Sequence, residues 1–489
     1  MLRRILLRCC VFFLAQGAIP QNTDFSSIVR KYVAVGSRTI AITHVTVIDG
    51  TGTPARKDQT IIITDGRIAT VGPAATVTLP PDAHPVDGTG RTVTPGLVGM
   101  HNHLFFPSAT VPNPDNEFPN GSLFAEAAYT FPRLYLASGV TTIRTAGSIE
   151  PYADLRVKRL IDAGKIPGPD IFLTAPYLDG PRSSMVQALS LANAQETRRT
   201  VNYWADLGFT SFKAYTNITR AQLAAVTEEA HRRNLTVTGH LCSIGFREAV
   251  ELGVDNLEHG LITDTEFVAS KKPDSCPAAA ALDYMAKQLK VSDKPVQDLI
   301  RFLVEHRIAV TSTLAIFESG IPSRPLTDLL RSRAAMTSAN WSAFLTHREF
   351  MRVYYDPEDD SSRILKKESE FELAFAKAGG ALMAGCDPEV FGGLVAGFGD
   401  QREIEMLVDA GFTPEEAIQI GTLNGAKFLK IDDHAGSIAV GKDADLILVQ
   451  GDPSAKISDI RQVVTVFKKG VGYDSAALTR SVQGLVGIQ

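Results

Sequence analysis

Leu97-Val98-Gly99-Met100-His101-Asn102-His103 is the stretch on which the reading of the whole chain turns. The apolar run is strand-like and ends on two imidazoles one residue apart. Successive side chains of a strand point to opposite faces, so positions i and i+2 share one. His101 and His103 can therefore aim two neutral nitrogens at a single point, which is what a first-row metal ion requires. The plainer alternative is two polar residues leaving a strand for a loop, and seven residues alone do not separate these readings.

Downstream of this stretch the sequence alternates between strand-like and helical patterns. Candidate strands lie at 97–103, 140–146, 170–176, 210–216, 236–241, 256–260, 308–314 and 381–387. Between them come helical segments such as the one opened by Thr219-Arg220-Ala221-Gln222, a capping box followed by Leu223, Val226 and Ala230 on one face. Strand–helix alternation predicts a parallel sheet, and eight such units predict an α/β fold, a closed (β/α)8 TIM barrel over 97–434. In that architecture chemistry sits at the C-terminal ends of the strands.

Upstream, residues 38–96 read as β structure, with Asp65-Gly66 between two β-branched runs as a hairpin signal. The tail returns to β at 444–449 and 463–467. The simplest assembly is a composite β-sandwich made from both chain ends, 38–96 and 435–474. Two long insertions, 261–294 and 318–380, read as lids or specificity elements over the catalytic face, or as helical padding outside it.

The 489 residues are 44% hydrophobic and 21% charged, with a net charge of −5. That suits a large folded core and excludes a disordered chain or a coiled coil. A mildly acidic chain without a basic cluster points away from nucleic acid. Arg3, Arg4 and Arg8, a short apolar run and the small residues before Ala18 resemble an export signal at 1–18. The apolar run is too short to span a bilayer, so the expectation is a secreted or periplasmic protein without a transmembrane span. Of five cysteines, Cys9 and Cys10 would leave with that segment. Cys242, Cys276 and Cys386 are too scattered for a disulfide framework and read as buried thiols.

Polar residues at the predicted strand ends converge. Strand one gives His101 and His103, strand four Lys213, strand five His240, strand six His259 and strand eight Asp387. One such residue is weak evidence; six at matching ends are hard to assign to chance. Tyr215, sharing a face with Lys213, and Arg144, ending strand two, are candidate substrate contacts, with packing as their plainer role.

At these residues the chain resembles the metal-dependent amidohydrolase superfamily, and most closely its imidazolonepropionase- and prolidase-like members. His101-Asn-His103 matches the family's His-x-His, and the other four match its strand-four lysine, strand-five and strand-six histidines and strand-eight aspartate. The segment Gly436 to Leu446 matches the stretch that closes the family's β-sandwich. The resemblance implies two divalent metal ions, zinc being expected, bridged by a carboxylated Lys213. It further implies a bridging hydroxide as nucleophile and Asp387 as general base. The implied enzyme hydrolyses carbon–nitrogen bonds of a dipeptide or N-acyl amino acid. Cyclic amides, lactones or organophosphate-like esters are the alternative substrates of such a site. A one-metal deaminase and a non-catalytic scaffold fit the filled ligand set less well. Partners are a small molecule or short peptide, and relatives often assemble as homo-oligomers.

Overall fold

The computed structural model describes residues 25–112, 120–181, 183, 185–326, 329–356, 359–388 and 393–487. The export segment expected at 1–18 lies outside them. From residue 97 onward come β1 (Leu97–Asn102), β2 (Val140–Thr145), β3 (Asp170–Phe172), β4 (Ser211–Ala214), β5 (Thr236–Gly239), β6 (Asn256–Glu258), β7 (Ala309–Ser312) and β8 (Ala381–Ala384). Their mutual pairings are all parallel. β1, β2, β4 and β7 are buried at every position, as expected of parallel strands covered on both faces. The connecting helices carry the caps that the sequence advertises. Thr219 accepts from the Gln222 N–H at the start of helix Arg220–Arg232, while the Gln222 side chain accepts from the Thr219 N–H.

The strands divide into two hydrogen-bonded sheets. β1 to β3 run in the order β3-β2-β1. β4 to β8 pair in chain order, with the short strands Leu178–Asp179 and Leu189–Ser190 added beside β4. The sequence predicts one closed ring; the ladders instead stop at two seams. β3 is three residues long, and the chain beyond it meets β4 through an isolated bridge, Thr174 with Ser211, and then through Leu178 beside Ala214. β8 meets β1 through the Asp387 N–H donating to the His101 carbonyl at 2.8 Å, rather than through a ladder. Val98, Met100, Ala309 and Met383 pack together with Ala426.

The two chain ends build one unit, whose strands are joined by hydrogen bonds into a single nine-stranded sheet. Its hydrogen-bonded order is Val33–Val35, Val471–Asp474, Val463–Lys468, Leu446–Gln450, Arg91–Pro95, Thr39–Val47, Arg56–Thr64 and Arg67–Pro73, with His84–Asp87 beside Thr39–Val47. The join is antiparallel between Arg91–Pro95 and Leu446–Gln450. Asp65 and Gly66 turn the hairpin between Arg56–Thr64 and Arg67–Pro73, both at positive φ (50° and 79°), as a type I′ turn demands. Ile40, Ile42, Val45, Ile61, Ile63, Leu446 and Leu448 form the core of this unit.

Both insertions contain helices, and the second is mostly helical. The first holds helix Ala278–Lys287, and the second includes helices Leu330–Arg333, Ser338–Phe350 and Asp360–Lys377. Two features differ from the sequence reading. Cys242 and Cys276 form a disulfide across 34 residues of chain, because the loop after β5 and the insertion after β6 fold against each other; among the described residues only Cys386 is a buried free thiol. After β1 the chain makes an unpredicted hairpin, Phe105–Pro112 with Asn120–Glu126. Pro107 and Pro112 interrupt the strand pattern in its sequence. Among the described residues no helix is long and apolar enough to cross a membrane.

Candidate metal centre

His101 and His103 lie at the end of β1 and are almost fully buried. His259 follows β6 directly. In an extended strand it would face away from Glu258, yet both side chains reach His101. A left-handed backbone at His259, φ 66°, turns the imidazole inward. Asp387, three residues beyond β8, is left-handed too, at φ 49°. Non-glycine residues in this region cost free energy and persist where the surroundings over-determine them.

The six predicted residues come together. Asp387 Oδ1 lies 3.1 Å from His103 Nε2, and Oδ2 lies 3.7 Å from His101 Nε2 and 3.9 Å from His259 Nε2. Lys213 Nζ is 3.4 Å from His101 Nε2. The His259 ring sits 4.4 Å from that of His101 and 4.5 Å from that of His240, centroid to centroid. One ligand atom from each of His101, His259 and Asp387 falls within a 4.8 Å span.

In His101, His103 and His259 the other imidazole nitrogen is committed, which fixes orientation. Glu258 Oε2 pairs with His101 Nδ1 at 2.7 Å, Thr313 Oγ1 with His259 Nδ1 at 2.7 Å, and the Gly147 carbonyl with His103 Nδ1 at 3.3 Å. Second-layer partners of this kind set the tautomer of a metal-binding imidazole. Burial, with the Lys213 ammonium close by, pushes His240 down to about 3. Burial likewise drives His101 and His259 far below the ordinary histidine range. Neutral imidazoles keep a lone pair for a cation. At Asp387 burial pulls upward, but His101, His103 and Lys213 outweigh it and hold the carboxyl below its usual value.

Arg144, expected among the substrate contacts, is spent inside the protein. Its Nε donates to the Met100 carbonyl, Nη1 to Asn256 Oδ1 at 2.8 Å and Nη2 to Glu258 Oε1 at 2.6 Å. Glu258, which the sequence reading passed over, thus joins Arg144 to His101, and Thr238 also donates to it. The available signal was period two: Asn256 and Glu258 share a face of β6, opposite an arginine on β2. Burial works against the ionised Glu258 carboxyl, yet Arg144 and Lys213 hold it below its ordinary value. Tyr215 packs its ring 4.9 Å from His240. Tyr177, also unpredicted, brings its hydroxyl to 3.4 Å from His103 Nε2.

The donor set suits a divalent cation. His259 Nε2 is buried without a hydrogen-bond partner, and a buried polar atom left so is costly unless something binds it. Imidazole nitrogens with a carboxylate are the ligands of zinc and its neighbours.

The family model described as "Amidohydrolase family" matches residues 92–471. Imidazolonepropionase of Vibrio cholerae serotype O1 is 48% identical over 48 residues, 10% of this chain and 11% of that protein. The chain thus spans about a tenth of the length of that curated relative. The solved structure of a putative prolidase from Bifidobacterium longum superposes with a TM-score of 0.63 at 24% identity, over 91% of this chain and 99% of that one. A Xaa-Pro dipeptidase solved with methionine in its active site gives 0.62 at 21% identity, over 89% and 100%. At these identities the structural likeness speaks for the fold.

Proposed function

The chain belongs to the amidohydrolase family, and from that premise we propose that it is a metal-dependent hydrolase of carbon–nitrogen bonds acting on a dipeptide or N-acyl amino acid. The observation that carries the reading is the buried, unpartnered His259 Nε2, with neutral imidazoles and the Asp387 carboxylate around it. His101, His103, His240, His259, Asp387 and Lys213 are the proposed ligands of two divalent ions, with zinc expected. Bound there, the ions supply Lewis-acid polarisation of the scissile carbonyl and a lowered pKa for the attacking water.

The residues have separate tasks. Lys213, as a neutral amine, adds to carbon dioxide with loss of one proton, and the resulting carbamate offers two oxygens where an ammonium offers none. Asp387, ionised, takes a proton from the attacking water and returns it to the leaving amine as the carbon–nitrogen bond breaks. Glu258 and Arg144 fix the His101 tautomer.

The two parallel sheets are read as one eight-stranded barrel over 97–434, flanked by the sheet unit from 38–96 and 435–474. The Cys242–Cys276 disulfide supports a secreted or periplasmic protein, since such bonds persist in oxidising compartments.

The test is metal stripping and zinc reconstitution of wild type and Lys213→Ala, with metal per chain measured by elemental analysis and turnover on a panel of dipeptides and N-acyl amino acids. Wild type regains activity with metal, and the variant loses most of both. Equal activity of stripped and reconstituted wild type would sink the proposal.

A further inference from the structure

An aromatic wall stands against the centre, outside the set of proposed ligands. Phe105 stacks on His103 with centroids 4.4 Å apart. Phe124, from the other strand of the same hairpin, meets Phe105 at 5.2 Å. Tyr177 and Tyr215 meet edge to face at 4.9 Å, and Tyr215 continues to His240. On the far side Phe317 approaches His259 at 5.7 Å. Phe105 and Tyr177 belong to a small apolar cluster separate from the main core; Phe124, Met185 and Tyr215 are packed against it and only half-buried. What sets this cluster apart is its place: its rings lie directly against His103 on one side and His240 on the other.

The chemistry of that subsite is apolar. Rings present electron-rich faces that repel an anion. A cation would gain from those faces, but it would want an ionised partner as well. The acid opposite Phe105 in the hairpin ladder is Glu126. Burial and the neighbouring Asp154 push its carboxyl up to about 10, which makes it a poor partner for a bound cation. The Gln187 side chain spans the Phe124 backbone, accepting from its N–H at 2.8 Å and donating to its carbonyl at 3.2 Å, which holds the rim in position.

We infer that this wall is the specificity subsite of the hydrolase and takes an aromatic or large aliphatic side chain of the amide substrate in preference to a charged one. The inference rests on the hydrolase reading above and adds the substrate class.

The experiment uses the zinc-reconstituted full chain and four N-acetyl amino acids differing only in side chain: phenylalanine, leucine, aspartate and lysine. Burial of a large apolar group predicts kcat/KM at least about tenfold higher for the first two. Phe124→Ala, which touches no proposed ligand, lowers the phenylalanine-to-aspartate ratio by about tenfold. A ratio is insensitive to partial loss of active centres. Calorimetric binding of the free amino acids to wild type gives the same ranking without turnover, and it stands even if the variant does not fold. Aspartate or lysine equal to phenylalanine in kcat/KM or in binding overturns the inference, as does an unchanged ratio in the variant. No hydrolysis of any substrate, with phenylalanine still bound best, removes the hydrolase reading and leaves the apolar subsite standing.

Discussion

His101 and His240 both end parallel strands, and burial holds both neutral, yet they are supported differently. His101 is anchored through Glu258 to Arg144, a chain of charge-assisted bonds with every member at 1% exposure or less. Around His240 the neighbours are rings: Tyr215 at 4.9 Å and His259 at 4.5 Å. Directional bonds fix one imidazole's angle and tautomer, while packing fixes the other's place and leaves a half-exposed rim. One side is thus held by bonds and the other by packing. The two sides should respond unequally to mutation.

Removing the anchor tests the first half most severely. Arg144→Met leaves Glu258 buried at 0% exposure without its cationic partner. Breaking a buried pair in this way costs about 3–5 kcal/mol, read as the shift in the urea midpoint. The sign with pH follows from the direction at Glu258. Its folded pKa lies below the ordinary value in wild type, so its contribution is present above roughly pH 4.3 and fades as pH falls further. In the variant the carboxyl escapes the penalty by protonating. The gap between wild type and variant is therefore wide at pH 7 and narrow at pH 4. A gap independent of pH would mean that lost packing, and not the orphaned carboxylate, accounts for the cost.

Glu258→Gln is gentler because the amide keeps the shape and an oxygen for Arg144. What it loses is the ionised acceptor for His101 Nδ1. Outer-layer changes of this type lower metal affinity by about 10–100-fold. Competition with a chelator measures it, and an affinity within twofold of wild type would show that strand geometry alone orients His101.

The ends of β1, β4, β5, β6 and β8 were legible because each carries a metal-competent side chain at the end of a short, mostly apolar run, and strand periodicity is a local property. Seams and closures are not local. Nothing in Asp170-Ile171-Phe172 announces that β3 stops after three residues, or that Asp387 joins β8 to β1 by one backbone bond. Glu258 was readable as an inward-facing acid on a buried strand but was eclipsed by the histidine beside it. The Cys242–Cys276 pairing depends on two loops meeting in space, and 34 residues of separation hide it from any spacing rule. The composite unit was foreseeable from β patterns at both ends; its nine strands in one sheet depend on which edges meet.

Tyr215→Phe carries the smallest expected effect and bears on the second half. The ring, which supplies the contacts to His240 and Tyr177, is kept, and only the hydroxyl goes. If packing is what steadies His240, metal affinity stays within about twofold of wild type and stability within about 0.5 kcal/mol. The preference for phenylalanine over aspartate persists as well, because ring area and not the phenol oxygen sets it. A tenfold fall in metal affinity would mean that the phenol supports the centre as directly as Glu258 does. The contrast between a bonded side and a packed side would then have to be given up, and Tyr215 would move from the rim of the subsite into the support of the metal ligands.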